Sequence, residues 1–287
     1  MKQMLLPILL LASLPVQAAV FQVTKTADTL DGACDHDCSL REAIVAANTA
    51  SNAAAGMDFV VLGPGVYELT RLGPFEDASA TGDLDVLDAL AIVGAGADRT
   101  VLDGSQIDRV LQSIGQHTLE VHGVTVRNGW ARGSGGIEDA GGGIAAYELL
   151  LVDSVVSDNR AQLGGGIWTP RLTARGSTIS GNVGIDGGGI AVVVLHLSNV
   201  TLSGNLGRHG GGMYRIVEAD DDSEIADTTV TGNSATVAGG GLYSAGVLEC
   251  PAGGGCPSPP DIRIERSIVA GNTAPEKPDC ANLENEG

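Results

Sequence analysis

Aromatic residues and positive charges are both scarce in this chain. Phe, Trp and Tyr together make up 3% of its 287 residues, and 16 Lys and Arg stand against 35 Asp and Glu, a net charge of −19. Because nucleic-acid binding needs clustered basic side chains, this composition argues against a nucleic-acid partner. The same charge repels a polyanionic glycan unless divalent cations bridge the two. So few aromatics are also unusual for a dedicated polysaccharide binder.

Long apolar segments are missing beyond the N-terminus. Residues 1–18 combine Lys2, an apolar core and the cleavage-site pattern Val16-Gln17-Ala18, as in a secretory signal peptide. No later stretch reaches the roughly 18 apolar residues that a membrane span requires. The sequence therefore predicts an exported, soluble protein without a membrane span, either secreted or held at the cell surface.

Cysteine is limited to five residues, which suits an oxidising compartment. Cys34 and Cys38 flank a short loop, and Cys250 and Cys256 bracket a segment with no core of its own. We predict a local disulfide in each pair, which leaves Cys280 without a partner. The cysteines do not fall into a zinc-ligand pattern.

Glycine is abundant, and it is placed with a fixed period. Five Gly-Gly-Gly triplets, each followed by a large apolar residue, begin at intervals of 23, 23, 23 and 29 residues. The first residues of these triplets are Gly141, Gly164, Gly187, Gly210 and Gly239. A period in the twenties without helical periodicity is typical of short β coils that stack into a solenoid. The sequence therefore predicts an all-β stack.

An asparagine preceded by small residues comes before each triplet from the second onward, and one more copy closes the series. Asn tolerates left-handed backbone angles, and its amide both donates and accepts hydrogen bonds. In successive coils such amides would bond along the axis as a ladder, or each would only make its own tight turn. In the first coil Gly129 takes this place. The predicted ladder residues are Asn159, Asn182, Asn205, Asn233 and Asn272.

The segment 19–57 differs from the repeats that fill residues 58–287. Ser39 and Glu42 form a capping-box pattern, which predicts a short helix over Ala43 to Asn48. The first coil of a β stack needs protection against end-to-end pairing. We therefore interpret this segment as an N-terminal cap.

Residues 38–43, Cys-Ser-Leu-Arg-Glu-Ala, match the motif that names the CSLREA-domain proteins, an exported bacterial family. The glycine and Ser-Gly-Asn repeats resemble those of polymorphic outer-membrane proteins. The resemblance covers roughly residues 20–280. It implies a right-handed parallel β-helix of the pectin-lyase type, located at the bacterial outer surface, and it implies no established reaction.

Insertions mark where binding residues are expected, because loops on a rigid scaffold commonly carry function. In regular coils the ladder Asn follows the apolar residue after the triplet by 15 residues. In the last two coils this spacing is 20 and 30 residues, so each of these coils contains an insertion. We expect these two insertions to lie side by side as one projecting lip. A third insertion, within Ala131 to Ala140, should instead open at the corner of the coil where the ladder asparagines lie, which we call the Asn corner.

The first of these insertions is acidic. Its carboxylates are oxygen ligands of the kind that Ca²⁺ prefers, so Ca²⁺ is the one cofactor that the sequence indicates. A solvated acidic turn is the alternative. The candidate ligands are Asp220, Asp221, Asp222 and Glu224, with Asp83, Asp85 and Asp88 as a weaker second group.

Three aromatic residues follow the apolar residue of a triplet: Trp168, Tyr214 and Tyr243. Since strand side chains alternate, an inward apolar residue turns the next one outward. These rings would then form a stripe that stacks on a glycan chain, or they would merely cover the sheet beneath.

Three hypotheses follow for function. The favoured one is an adhesion or binding module that presents loops to a glycan or a cell-surface protein. A polysaccharide lyase or glycoside hydrolase is the alternative, and a structural spacer is the third. Candidate acids and bases lie near the Asn corner, but the ordered motifs of pectin-hydrolysing enzymes are not found. These candidates are Asp158, Asp186, Arg160, Arg208 and His209.

Overall fold

A computed structural model of the protein describes residues 18–50, 56–133, 136–217, 222–245 and 262–281. The chain is mostly β, with 45% of its residues in strands and 6% in helices. Its strands form long parallel sheets, which is the arrangement of a parallel β-solenoid. The predicted all-β class is confirmed at this level.

The N-terminal part of the chain contains helix α1 and the first twelve strands, and a 3-10 turn, Gly136–Asp139, precedes the first glycine triplet. These elements are β1 (Val20–Gln22), α1 (Leu40–Thr49), β2 (Asp58–Val61), β3 (Gly65–Glu68), β4 (Leu84–Val86), β5 (Leu90–Val93), β6 (Thr100–Asp103), β7 (Leu111–Ser113), β8 (Thr118–His122), β9 (Thr125–Arg127), β10 (Ile144–Ala145), β11 (Glu148–Val152) and β12 (Val155–Ser157).

The C-terminal part continues with strands alone among its described residues. They are β13 (Ile167–Arg175), β14 (Thr178–Ser180), β15 (Ile190–Ser198), β16 (Thr201–Ser203), β17 (Leu206–His209), β18 (Met213–Ile216), β19 (Ser223–Ala226), β20 (Thr229–Thr231), β21 (Ser234–Ala238), β22 (Leu242–Ala245), β23 (Ile262–Glu265), β24 (Ile268–Val269) and β25 (Cys280–Ala281).

Every strand pairs in parallel with a strand one coil away. The largest sheet has 15 strands and runs along β1-β2-β5-β8-β11-β13-β15-β18-β22-β25, and an eight-stranded sheet runs along β24-β20-β16-β14-β12-β9-β6-β3. On a third face β17 pairs with β21, and isolated parallel bridges extend this contact to other coils. Successive coils are therefore stacked on three faces, with one shift of register on the third face between Gly207 and His209.

The core consists of aliphatic columns that this register produces. The apolar residue after each triplet pairs with its counterpart in the next coil and is fully buried. This column is Ile144, Ile167, Ile190, Met213 and Leu242. Burial of each such side chain contributes about 1.5–3 kcal/mol, so the columns offset the entropy cost of a glycine-rich backbone.

The five asparagines lie in one buried column and bond to each other along the axis. Asn159 donates from its backbone N and from Nδ2 to Asn182 Oδ1, at 3.0 Å in both cases. Asn182 makes the same pair of bonds to Asn205, and the pattern continues through Asn233 to Asn272. Nδ2 of each asparagine also donates to a backbone carbonyl on the strand of the preceding coil, for example Asn182 to Val156. Each buried amide is thus satisfied at both ends.

The ladder extends past its asparagines at both ends. Gly129 donates its backbone N to Asn159 Oδ1 at 2.8 Å, so it occupies the ladder position in its coil. At the other end Asp279 Oδ1 accepts from the backbone N and Nδ2 of Asn272. A carboxylate acceptor therefore closes the series of amides.

The glycine triplet makes room for this ladder, as one copy illustrates. Gly164 has φ +61, a left-handed angle that favours glycine. A Cβ on Gly165 would lie 2.4 Å from the backbone of Val183, and a Cβ on Gly166 would lie 2.9 Å from the Asn182 amide. Each glycine is therefore required for a different steric reason, and together the three allow neighbouring coils to pack closely against the ladder.

Helix α1 has the predicted capping box but spans Leu40–Thr49, so it begins three residues before the predicted Ala43. Ser39 is its N-cap and forms the capping box with Glu42, while Cys38 is joined to Cys34 by the predicted disulfide. Arg41 is fully buried and donates to the Asp28 carboxylate and to backbone carbonyls of the loop that ends at Asp83. The Cys-Ser-Leu-Arg-Glu-Ala motif therefore serves to anchor the helix against the first coils.

The amide ladder gives a direct prediction about stability. Asn182→Ala removes the acceptor of Asn159 and a donor to Asn205, and it leaves buried polar groups without partners at about 1–3 kcal/mol each. We expect the free energy of unfolding, measured by urea denaturation, to fall by about 3 kcal/mol or more. The half-exposed Thr201→Ala should change it by less than about 0.5 kcal/mol. Equal effects of the two substitutions would contradict the ladder's role.

Candidate functional site

The candidate site lies on the third face of the solenoid, between the Asn ladder and the glycine triplets. Parallel bridges align this face across coils: Trp130 lies beside Arg160, and Asp186 beside His209. Equivalent positions of neighbouring coils therefore project side chains next to each other.

A cleft of about 450 Å³ opens on this face. Trp168, Asp139, Gln162, Ile185 and Asp186 are among its lining residues. Gln162 donates from Nε2 to Asp139 Oδ2 at 2.7 Å, and Asp139 itself is 3% exposed. The cleft thus combines an indole ring with two carboxylates and an amide.

Two further clefts continue the first toward Trp130. One of about 420 Å³ shares Asp139, Gln162 and Ile185 with the first cleft. The other, of about 390 Å³, shares Trp130 and Arg160 with the second. The three neighbouring clefts share wall residues, and we call them together the tryptophan groove. The chain contains two tryptophans, and both line it.

The predicted aromatic column is in register beside this groove. Ala191 pairs with Trp168 on one side and with Tyr214 on the other, and Tyr214 pairs with Tyr243. The two tyrosine rings are stacked, with centroids 5.5 Å apart. Ala191 is 0% exposed although alternation turns it outward, so the neighbouring rings cover it. The rings therefore shield the sheet, and the half-buried Trp168 also presents its surface to the groove.

An acid–histidine pair connects the groove to the tyrosines. His209 Nδ1 lies 2.8 Å from Asp186 Oδ1, and the His209 ring is 5.1 Å from that of Tyr243. Burial, the Asp186 charge and Tyr243 together raise the pKa of Tyr214. Two of the predicted acids and bases, Asp186 and His209, are thus brought together, whereas Arg208 is exposed and lies outside the three clefts.

Arginine side chains surround the other tryptophan. The Arg132 guanidinium lies 3.6 Å from the Trp130 ring centroid, and that of Arg160 lies 5.3 Å from it. Asp158, another predicted acid, is exposed and lines the same end of the groove. Cation–π contacts of this kind attract a guanidinium to the ring by about 0.5–1 kcal/mol at exposed sites.

The predicted calcium lip falls largely outside the described residues, which do not include Asp220 and Asp221. Asp222 is exposed, and Glu224 lies on β19 opposite His196 and Arg263. Among the described residues, no group of three or more His, Cys, Asp or Glu side chains is arranged to hold a metal ion. The Ca²⁺ site stays a prediction.

The remaining cysteines are placed only in part. Cys250 and Cys256, predicted to form a disulfide, lie outside the described residues. Cys280 is half-buried in β25 as a free thiol, and burial raises its pKa to about 11. No helix within the described ranges is long and apolar enough to cross a membrane.

Of the weaker calcium candidates, Asp83 and Asp85 are buried and Asp88 is half-buried. Asp83 lies 2.7 Å from the Arg109 guanidinium, and Asp88 accepts the backbone N of Ala89. Asp85 accepts the backbone N of Ser79 through Oδ2, while its Oδ1 is buried without a hydrogen-bond partner among the described residues. Burial therefore raises the pKa of Asp85 to about 7.

Two features of the groove are missed by sequence reasoning. Trp130 follows Gly129 and belongs to no repeat, so periodicity does not single it out. Asp139 ends the insertion within Ala131 to Ala140, whose position at the Asn corner was the available signal. This insertion supplies Arg132 and Asp139 to the groove wall.

Comparison of the chain with protein-family models, with curated proteins and with solved structures gives no match.

The buried Asp85 predicts an unusual dependence of stability on pH. Its pKa is higher in the folded state, about 7, than the ordinary value of about 3.9 in the unfolded chain. Between these values the folded state holds more protons, so its stability falls as pH rises from about 4 to about 7. We expect Asp85→Asn to flatten the decline of melting temperature between pH 5 and pH 8. An unchanged slope in this variant would contradict the assignment.

Proposed function

We propose that this chain is an exported right-handed parallel β-helix protein of the CSLREA type that binds a saccharide in the tryptophan groove. The observation that carries the proposal is the presence of both tryptophans in one groove, in a chain that is only 3% aromatic. Scarce residues that converge on one concave site favour a binding role there over a purely structural one.

The chemistry of the Trp168 end supports a sugar as the ligand. An indole ring offers an apolar face, and the carboxylates of Asp139 and Asp186 with the Gln162 amide offer hydrogen-bond acceptors and donors. A sugar ring has the complementary arrangement of an apolar C–H face edged by hydroxyl groups. Ile185, 45% exposed, extends the apolar wall.

The architecture supports the finer assignment of the fold. Parallel strands joined by crossover connections are right-handed in about 98% of cases. Three faces of stacked parallel strands and bridges, with a capping helix at the N-terminal end, suit a β-helix. Together with the signal peptide that the sequence predicts at residues 1–18, this favours an adhesion or binding module that acts outside the cell.

Polysaccharide cleavage is the second candidate function. The observation in its favour is that two carboxylates, those of Asp139 and Asp186, line one cleft, because glycoside hydrolysis uses a pair of carboxyl groups. The pairing of Asp139 with Gln162 and of Asp186 with His209 gives the two acids different surroundings. In such enzymes, different surroundings give the two carboxyl groups different pKa values, so that one acts as an acid and the other as a base or nucleophile.

We expect saccharide binding to depend on Trp168. Trp168→Ala should weaken binding by about tenfold or more in calorimetric titration of the ligand found on a glycan array, because a ring contact of about 1.5 kcal/mol is lost. Tyr147→Ala is the matched control, since Tyr147 is an aromatic residue at a half-buried position outside the groove. Equal affinity of Trp168→Ala and the unsubstituted protein would overturn the groove assignment.

Cleavage is distinguished from binding by product release. Reducing-sugar and unsaturated-uronide assays on a polysaccharide panel, with and without Ca²⁺, should show no turnover if the groove only binds. Turnover that disappears in both Asp139→Asn and Asp186→Asn would replace the binding proposal by the hydrolase. The melting temperature of each variant serves as the folding control.

A further inference from the structure

The two ends of the tryptophan groove differ in charge. The Trp168 end holds the carboxylates of Asp139 and Asp186 with no basic residue among its described lining, whereas the Trp130 end holds the guanidinium groups of Arg132 and Arg160 beside the carboxylate of Asp158. Asp139 also lines the middle cleft, so a ligand that fills the groove meets cations only toward its Trp130 end.

At the Trp130 end the ring is already occupied by arginine. With the Arg132 guanidinium 3.6 Å from its centroid, one face of the indole is covered, and Arg160 lies 5.3 Å from the same centroid. This tryptophan thus serves to orient guanidinium groups, unlike Trp168, which has no arginine over its ring among the described contacts.

Neither guanidinium forms a salt bridge among the described residues, although burial raises the pKa of the nearby Asp108 carboxyl and the charge of Arg132 acts on that pKa in the opposite direction. Arg132 donates to the Gln106 carbonyl at 2.7 Å, whereas the Arg160 guanidinium makes no hydrogen bond or ion pair within the described part of the chain, where Arg160 bonds only through its backbone. In contrast, Arg41 and Arg266 are each paired with an aspartate. Unpaired arginines that line a groove are notable in a chain with 35 acidic and 16 basic residues.

From this arrangement we propose that the Trp130 end of the groove binds an oxyanion substituent of the saccharide, a carboxylate or a sulfate, between Arg132 and Arg160. The guanidinium fork matches such planar or tetrahedral oxyanions with paired N–H donors, and stacking on the indole preorganises it. This inference rests on the proposed function, because it assigns one substituent of the same ligand.

The surrounding charges restrict the ligand further. Asp158 lines the arginine end, Asp186 lines the other end, Asp139 lies between them, and the whole chain carries a charge of −19. A polyanion that repeats its charge on every sugar unit is repelled by these groups. The site therefore fits a saccharide that is neutral where it meets Trp168 and carries its anionic group at the Trp130 end.

The test compares matched saccharides. Each neutral oligosaccharide that binds is paired with its uronic-acid-terminated form and with its sulfated form, and affinities are measured by titration at low and high salt. We expect one charged form to bind about tenfold tighter at low salt, and the preferred form identifies the substituent. Arg160→Gln and Arg132→Gln should remove this preference while the neutral form keeps its affinity.

Arg175→Gln is the matched control, because Arg175 is an exposed arginine on β13, outside the groove. It should keep the preference for the charged form. If neutral and charged forms bind equally and Trp168→Ala still weakens both, the oxyanion site is wrong and the saccharide groove stands. If no saccharide binds, both proposals are overturned.

Discussion

The buried amide ladder constrains the rest of the structure, because each asparagine must meet the next one along the axis at about 3.0 Å. A coil with one residue too many would move its amide off the column and leave buried donors unpaired. Additional residues are therefore accommodated away from the ladder. The constraint also explains the glycines: a Cβ at Gly166 would collide with Asn182. The constant period of the sequence and its glycine triplets thus both follow from the requirement that the ladder asparagines meet.

The same constraint holds the backbone of the third face in place. Between the ladder and the triplets the backbone is fixed at both ends, so Trp130, Asp139, Asp186 and Arg160 project from positions that vary little. A groove built on such a scaffold loses little conformational entropy when a ligand binds, which favours affinity. The insertion within Ala131 to Ala140 is the local addition that supplies one wall of the groove.

Sequence reasoning succeeds where a feature is repeated and local. The ladder residues, the capping box at Ser39 and the nearby Cys34–Cys38 disulfide all follow from spacing and residue chemistry. It fails where partners come from distant parts of the chain. The carbonyl partners of Arg41 lie 38 or more residues away, and Trp130 belongs to no repeat. Asp85 illustrates the same limit, since its burial and raised pKa depend on tertiary packing.

Intrinsic tryptophan fluorescence tests the central claim most directly, because both tryptophans of the chain line the proposed groove. Titration with a bound saccharide should give a saturable change in emission whose midpoint agrees with the calorimetric affinity. A Trp168→Phe variant, in which Trp130 alone reports, should still respond to the ligand. Saccharide binding by calorimetry without any change in the emission of either protein would contradict the account.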